Sequence, residues 1–476
     1  MTSFLLLYLT GAGLADQAIH TGRLRTAKSA KWVPTEIIVK FKDRLSEDHI
    51  NRINQRHGTS VLHTSPFAGF KRLSVPAGKT SQQMVELYSS DPEVEYAELN
   101  YYAYAHFVPN DPYYTYQWHL YETYAGVNIE PAWDITTGDP NVIVAVLDTG
   151  VAYENYKGFE LAPDLVNTRF VPGYDFVNDD THPNDDDAHG THVTGTIAQS
   201  TNNGLGAAGI AFNCSIMPVK VLNRRGEAPY TTVAEGVYFA ADNGANIINL
   251  SLGGPDDSIT LRDAVAYAYN HGVTIICSAG NEYELGNPTM YPAAYNQYCI
   301  AVGATRYDRT RAYYSNTGSY LDLAAPGGDL NVDQNGDGYG DGILQQTFGA
   351  SPKDWGYWFY TGTSMAAPHV SGIAALLIST GITGPDAVRE ALQNTAADLG
   401  PAGWDAEYGW GLVDAYAALN YYQLLSDFNG DGFVDYKDLR IFAQFWLTGE
   451  SFVDIAPEGG DGLVNLLDFA RFALDW

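Results

Sequence analysis

The sequence predicts an α/β fold in three layers with a mainly parallel sheet, set between a small α+β unit and a short C-terminal repeat. Three observations carry this. Near-continuous apolar runs of strand length alternate with helical patterns through the middle of the chain, as strands buried on both faces of a parallel sheet require. A segment of different charge balance precedes them. The last stretch repeats itself, GDGFVDYKDLRIFAQFW matching GDGLVNLLDFARFALDW at a constant offset of 30, and half-units this short can bury their Phe and Trp only by packing together.

Taken in order, Phe4 to Ala15 (FLLLYLTGAGLA) is too short to span a bilayer and has the length of a signal-peptide core, so residues 1–15 are expected to be a cleaved leader. Residues 31–105 read as strand (EIIVKFK), helix (SEDHINRINQRHG), strand (FKRLSV), helix (TSQQMVELYSSDP) and a closing extended run (VEYAELNYYAYA). A loop-rich stretch leads into residues 107–420. There NVIVAVLDTG, SIMPVKVL, NIINLSLGG, VTIICSAGN and YCIAVGAT are strands, and helices separate most of them. SMAAPHVSGIAALLIST and PDAVREALQNTAADL close the section as helices. Residues 425–476 hold the repeat.

The chain has 476 residues, 45% of them hydrophobic, which excludes wholesale disorder. Its formal charge is −30. The first 105 residues hold 12 basic and 10 acidic side chains, which leaves 14 and 46 for the rest. A surface so poor in Lys and Arg excludes nucleic acid as a partner, because phosphate binding needs those cations to release counterions. Acidic clusters point to bound cations instead. Three cysteines are too few for a disulfide scaffold. Cys277 and Cys299 either pair or stay, with Cys214, as buried thiols.

Three segments carry chemistry. Asp148 ends an apolar strand in VLDTG, His189 opens a helix in HGTHV, and Ser364 opens a later helix in GTSMAAPHV. α/β sheets present their active groups at such strand ends and helix starts. A serine hydroxyl attacks poorly unless a base takes its proton. An imidazole titrates near working pH, and a carboxylate fixes its tautomer. Each residue has a plainer reading: Asp148 as a turn cap, His192 beside His189 as half of a metal pair. HExxH, however, is absent, and GTSMA lacks the G-x-S-x-G elbow of α/β-hydrolases.

With VLDTG, HGTHVTGT, SLGG, SAGNE, YPA, AAPG and GTSMAAPHVSG all in order between about Pro109 and Leu419, the chain resembles the subtilisin-like serine proteases, closest to their thermitase-like branch. The resemblance implies a catalytic triad of Asp148, His189 and Ser364, with Asn281 as the oxyanion-hole side chain. Ser251, Leu252, Gly253 and Gly254 would pair with an extended polypeptide substrate, and Ser278, Ala279 and Gly280 would wall the pocket. His192 becomes structural. Residues 31–105 resemble the inhibitory propeptide of these enzymes, cut between Ala103 and Asn110; the other reading is a permanent accessory domain.

Calcium is the expected cofactor. Asp427, Asn429, Asp431, Phe433 (by its carbonyl), Asp435 and Asp438 fall at loop positions 1, 3, 5, 7, 9 and 12, with Gly432 at position 6. The second copy keeps Asp461, Asn465 and Asp468. This paired loop–helix repeat resembles a dockerin module, which implies a cohesin-like or cell-surface partner, although Tyr436, Lys437, Leu466 and Leu467 depart from the small hydroxylated residues usual at its reading positions. The other reading is a calcium-stapled appendage. The thermitase resemblance adds two sites, Asp111 with Asp164 and Asn203, and Asp175 with Asp180 and Asn184. DQNGDGYGDG, through Asp333, Asn335, Asp337 and Asp341, has calcium-loop spacing of its own. The expected function is that of a secreted, monomeric, autoprocessed endopeptidase working through an acyl-enzyme. The rival is an inactive peptide-binding protein anchored by its C-terminal module.

Overall fold

Alternation along the middle strands decides the architecture. On β5 (Ile143–Asp148), Val144 and Val146 enter one apolar cluster while Ala145 and Leu147 enter another, because successive strand side chains point to opposite faces. A computed structural model describes residues 32–43, 45–102, 107–426, 428, 436–448, 453–455 and 463–475. The expected leader, the start of the expected cut region, and Asp427, Asn429, Asp431, Phe433, Asp435 and Asp461 lie outside these residues. The chain forms two compact units that divide at Ala105. Among the described residues no helix is long and apolar enough to cross a membrane.

The first unit is an antiparallel sheet in the order β2–β3–β1–β4, made of β1 (Trp32–Phe41), β2 (Val61–Thr64), β3 (Lys71–Ser74) and β4 (Val94–Tyr101). Helices α1 (Glu47–His57) and α2 (Ser81–Ser89) cover it around Ile37, Val39, Ile53, Leu73, Met84 and Tyr88. Ser46 caps α1, and a capping box of Thr80 and Gln83 starts α2. β2 was not foreseen. All four of its residues are exposed, so no apolar periodicity marks it.

The second unit is built on an eight-stranded sheet in the order β12–β11–β10–β9–β5–β8–β6, with β7 also on β8. Short helices α3 (Trp118–Tyr121) and α4 (Ile129–Trp133) precede β5. After it come β6 (Arg169–Phe170), β7 (Tyr174–Asp175), α5 (His189–Ala198), β8 (Ser215–Lys220), α6 (Tyr230–Asp242), β9 (Ile247–Leu250) and α7 (Ile259–Asn270). Next are β10 (Thr274–Ser278), β11 (Cys299–Thr305), β12 (Leu323–Pro326), β13 (Ile343–Phe348), β14 (Trp355–Tyr360), α8 (Thr363–Ser379), α9 (Pro385–Asn394) and α10 (Ala415–Ser426). Every pairing within the large sheet is parallel, and β13 and β14 make a separate antiparallel hairpin. Residues of α5 and α8 share the cluster on one face, and residues of α6 and α7 the cluster on the other. α8 is apolar nearly all round and buried from Met365 to Leu377, which makes it a central helix rather than an amphipathic one. After β5 the chain builds outward to β8 and then crosses to β9 on the other side. That switch point is where such sheets bind ligands.

Helices α11 (Tyr436–Gln444) and α12 (Leu466–Asp475) end the chain. Phe442 and Phe472, equivalent in the 30-residue repeat, stack with centroids 5.6 Å apart, and Phe428 stacks on both. The two copies therefore share one small core with Val453 and Val464. All three cysteines are buried free thiols, so Cys277 and Cys299 do not pair.

Candidate active site

Asp148 is the last residue of β5 and fully buried. Its Oδ1 accepts the Thr149 N–H at 2.7 Å and lies 2.7 Å from His189 Nδ1. His189 begins α5, and three local features deliver it there. Ala188 sits at φ +98, an uncommon left-handed conformation of the kind that clusters at functional sites. Thr149 Oγ1 accepts from Gly190 N–H at 2.9 Å. A side chain on Gly190 would strike Gly150 O, at 2.2 Å from its Cβ, which explains glycine after the histidine. Burial alone would push the His189 imidazole down. The Asp148 carboxylate outweighs it, with Asp187 and Asp185 behind, and raises the ring from 6.5 to about 9. With Nδ1–H donated to Asp148, Nε2 is the ring's free base position.

Ser364 is the second residue of α8. Its Oγ donates to Ser251 O at 3.2 Å, and its carbonyl accepts from Ser251 Oγ at 2.9 Å. That carbonyl is available because Pro368, four residues on, has no N–H to give it. Among the described residues no hydrogen bond joins Ser364 to His189. The hydroxyl donates to the Ser251 carbonyl instead, and nucleophile–base contacts in many such sites tighten only with substrate. The serine–histidine contact expected from the sequence is thus unmade here, while the histidine–aspartate contact is made.

Asn281 follows β10. Its Oδ1 accepts from Thr363 N–H at 2.8 Å and Thr363 Oγ1 at 3.0 Å, which fixes the amide beside the start of α8. A Cβ placed on Gly362 would lie 3.5 Å from Asn281 Nδ2 and 3.6 Å from Ser364 N. Two N–H donors therefore flank one space, and it stays empty because Gly362, at φ +151, has no side chain.

The expected substrate walls divide. Ser251, Leu252 and Gly253 border a cavity of about 470 Å³ together with His189, Thr149, Asp187 and Tyr230. Gly254 does not serve as expected: its N–H and C=O are both taken by Tyr291, at 3.0 and 2.8 Å. On the other wall Ala279 N–H bonds Val302 O, and Gly280 bonds Thr363 Oγ1 and Asn316 N. Ser278 is buried at the end of β10. The Met290 side chain lies close to both Gly253 and Gly280, so it spans the slot between the walls.

Sequence reasoning missed Asp185. Fully buried, it accepts from Thr149 Oγ1, Asp187 N–H and Ala188 N–H with one oxygen and from Thr191 N–H and Oγ1 with the other. In sequence it is one acid among the three of DDD. His192 is buried, stacks on Tyr360, and lies 3.1 and 3.0 Å from Ile343 O and Trp358 O through Nε2, while its buried Nδ1 has no partner among the described residues.

Of the residues expected to hold cations, Asp111, Asp164 and Asn203 come together. Asp111 and Asp164 are buried and share Asn203, whose N–H reaches Asp111 at 3.3 Å and whose Nδ2 reaches Asp164 at 2.8 Å. Their other donors, Asn202 N–H, Ala207 N–H and Tyr357 O–H, are neutral, and burial pushes the two carboxyls up to about 6 and about 7. Two buried carboxylates with only neutral partners fit a hard cation, whereas Asn203 turns N–H groups to them and its Oδ1 accepts from Leu205 N–H at 2.8 Å. Asp175 and Asp180 meet across a bridge. Asn184 turns its Nδ2 to Glu154 and leaves a buried Oδ1 without a partner. Asp333, Asn335, Asp337 and Asp341 fold into one loop whose carboxylates accept its own N–H groups. Asp438 is buried, and Asp468 accepts from Ile455 and Asn465 N–H. Among the described residues no three His, Cys, Asp or Glu side chains gather closely enough to hold a metal by themselves, so amide and carbonyl oxygens would have to complete any site.

Comparison with known proteins places this geometry. A model of the subtilase family matches residues 139–411, and a model of the fervidolysin N-terminal prodomain matches residues 20–100. The chain is 36% identical over 392 residues to a thermophilic serine proteinase of Bacillus sp. strain AK1, covering 82% of this chain and 88% of that one. It is 36% identical over 315 residues to thermitase of Thermoactinomyces vulgaris, covering 66% and 100%. A solved protease structure from Pseudoalteromonas arctica superposes with a TM-score of 0.58 at 34% identity, over 66% of this chain and 99% of that one. The chain belongs to the subtilase family of serine peptidases and carries an N-terminal prodomain of the fervidolysin type.

Proposed function

We propose that the protein is an endopeptidase that cleaves polypeptides through an acyl-enzyme on Ser364. The observation that carries this is the 2.7 Å contact of His189 with buried Asp148 on one side of the groove, with the Asn281 amide fixed beside Ser364 on the other. Ser364 Oγ turns from Ser251 O toward His189 Nε2, gives up its proton there and attacks the scissile carbonyl carbon. The carbonyl oxygen, now an anion, is held by Ser364 N–H and Asn281 Nδ2 at the positive end of α8. His189, charged and steadied by Asp148, protonates the leaving amine. Water, deprotonated by the same ring, then releases the acyl group.

The prodomain is the enzyme's own inhibitor and is removed by self-cleavage before Asn110. Relatives named extracellular proteases in Natrialba magadii, Xanthomonas campestris and Dichelobacter nodosus support secretion. Calcium held at Asp111, Asp164 and Asn203 supplies fixed positive charge to a buried acidic cluster. The 425–476 repeat is a dockerin-like calcium module with a cohesin-like or cell-surface partner. A fluorophosphonate probe tests the central reading. Wild type should label, and Ser364→Ala, shown folded by an unchanged melting temperature, should not. Equal labelling of the two would dispose of the triad. An inactive peptide-binding protein would leave both unlabelled.

A further inference from the structure

From the oxygens gathered around one buried ammonium, we infer that Lys220 is a positioning residue for the Asp148–His189 pair; this rests on the triad reading above. Lys220 ends β8 and stands in register with Asp148 at the end of β5. It is 1% exposed, and its Nζ is surrounded by Thr149 O at 2.5 Å, Asp186 Oδ1 at 2.6 Å and Leu222 O at 3.0 Å. An ammonium has three N–H donors, and each finds an oxygen. A buried charge is costly unless its pairing is this complete, so the three oxygens are held where the ammonium needs them.

What they belong to gives the residue its role. Thr149 follows Asp148. Asp186 lies three residues before His189, in the loop that launches α5. Leu222 lines the cavity with Thr149 and His189. Asp148 and His189 are 41 residues apart, and Lys220 binds the backbone behind one to the loop ahead of the other. Asp185 makes a second tie between the same two segments through Thr149 Oγ1. Lys220 contacts none of the reacting atoms. It acts by holding the carboxylate under the imidazole.

The experiment is a double-mutant cycle on the full chain with the prodomain cut off in trans in every variant, read as the rate of Ser364 acylation by a fluorophosphonate, with the probe's apparent affinity measured separately. Lys220→Met, close in length and uncharged, should slow acylation by about 100-fold, the cost of roughly 1 Å of misplacement. Affinity for the probe should hold, and Lys220→Arg should recover part of the rate. In an Asp148→Asn background the same change should alter the rate by no more than about 2-fold, since little is left for it to position. An unchanged rate in Lys220→Met, or an equal loss in both backgrounds, overturns the inference. If Lys220→Met does not fold, Asp186→Asn, which removes one of the three oxygens' charge, decides by the same cycle. Labelling of Ser364→Ala would defeat the triad reading itself and is seen separately.

Discussion

Acid should unfold the larger unit through three buried histidines. His119, His192 and His369 are fully buried. His119 Nδ1 lies 2.7 Å from His369 Nε2, and His369 Nδ1 lies 2.8 Å from Met365 O. With Nδ1–H of His369 given to Met365 O, its Nε2 must accept from His119, so both rings are neutral. Burial pushes His369 down to about 4 and His192 to about 3, and lowers His119 as well. A folded-state value below the unfolded 6.5 means the unfolded chain binds more protons as pH falls through that window. His369 and His192 therefore each withdraw on the order of 3 kcal/mol between pH 6.5 and pH 4, and His119 acts in the same direction. His189 works the other way. Raised to about 9, it lends stability that is complete below 6.5 and lost as pH rises toward 9, so it is constant across the acid window and offsets none of that loss. That loss is a large part of the 5–15 kcal/mol typical of a domain, and it is countered in part as Asp322, which burial raises to about 6, takes up its proton in the same window. The assay is the guanidinium midpoint of Ser364→Ala, chosen to prevent autolysis, at saturating calcium from pH 8 to pH 4. His192→Gln should start somewhat less stable but lose about 3 kcal/mol less across that window. Parallel curves for the two proteins would refute the reasoning.

Two further outcomes follow from the site. Because only neutral His189 can take the Ser364 proton, kcat/KM should fall with acid through an apparent pKa above 6.5 and as high as about 9. A peptide-hydrolysis profile whose acid limb lies below 6.5 would contradict the carboxylate-raised imidazole. Chelator should lower the melting temperature of the mature enzyme, and Asp164→Asn should remove most of that difference, since Asp164 and Asp111 are the buried carboxylates that share Asn203. An Asp164→Asn protein as chelator-sensitive as wild type would place the ion elsewhere.

The sequence by itself determined the parallel sheet, because strands buried on both faces must be apolar throughout and those runs are visible. It singled out Asp148, His189 and Ser364, because VLDTG, HGTHV and GTSMAAPHV each set such a side chain at a strand end or helix start. It determined that the two C-terminal copies meet, since neither could bury Phe442 or Phe472 alone. Only tertiary structure decided what depends on which oxygen faces which hydrogen. Gly254 is consumed by Tyr291, Ser364 leans on Ser251, and Met290 crosses the slot, each through partners dozens of residues away. The DDD run shows the difference most plainly: Asp185 sutures two loops, Asp186 meets buried Lys220, and Asp187 lines the cavity. Three identical letters carry no signal of their roles, because a carboxylate's function is set by the donors that surround it, and those come from β5, β8 and α5 only once the chain has folded.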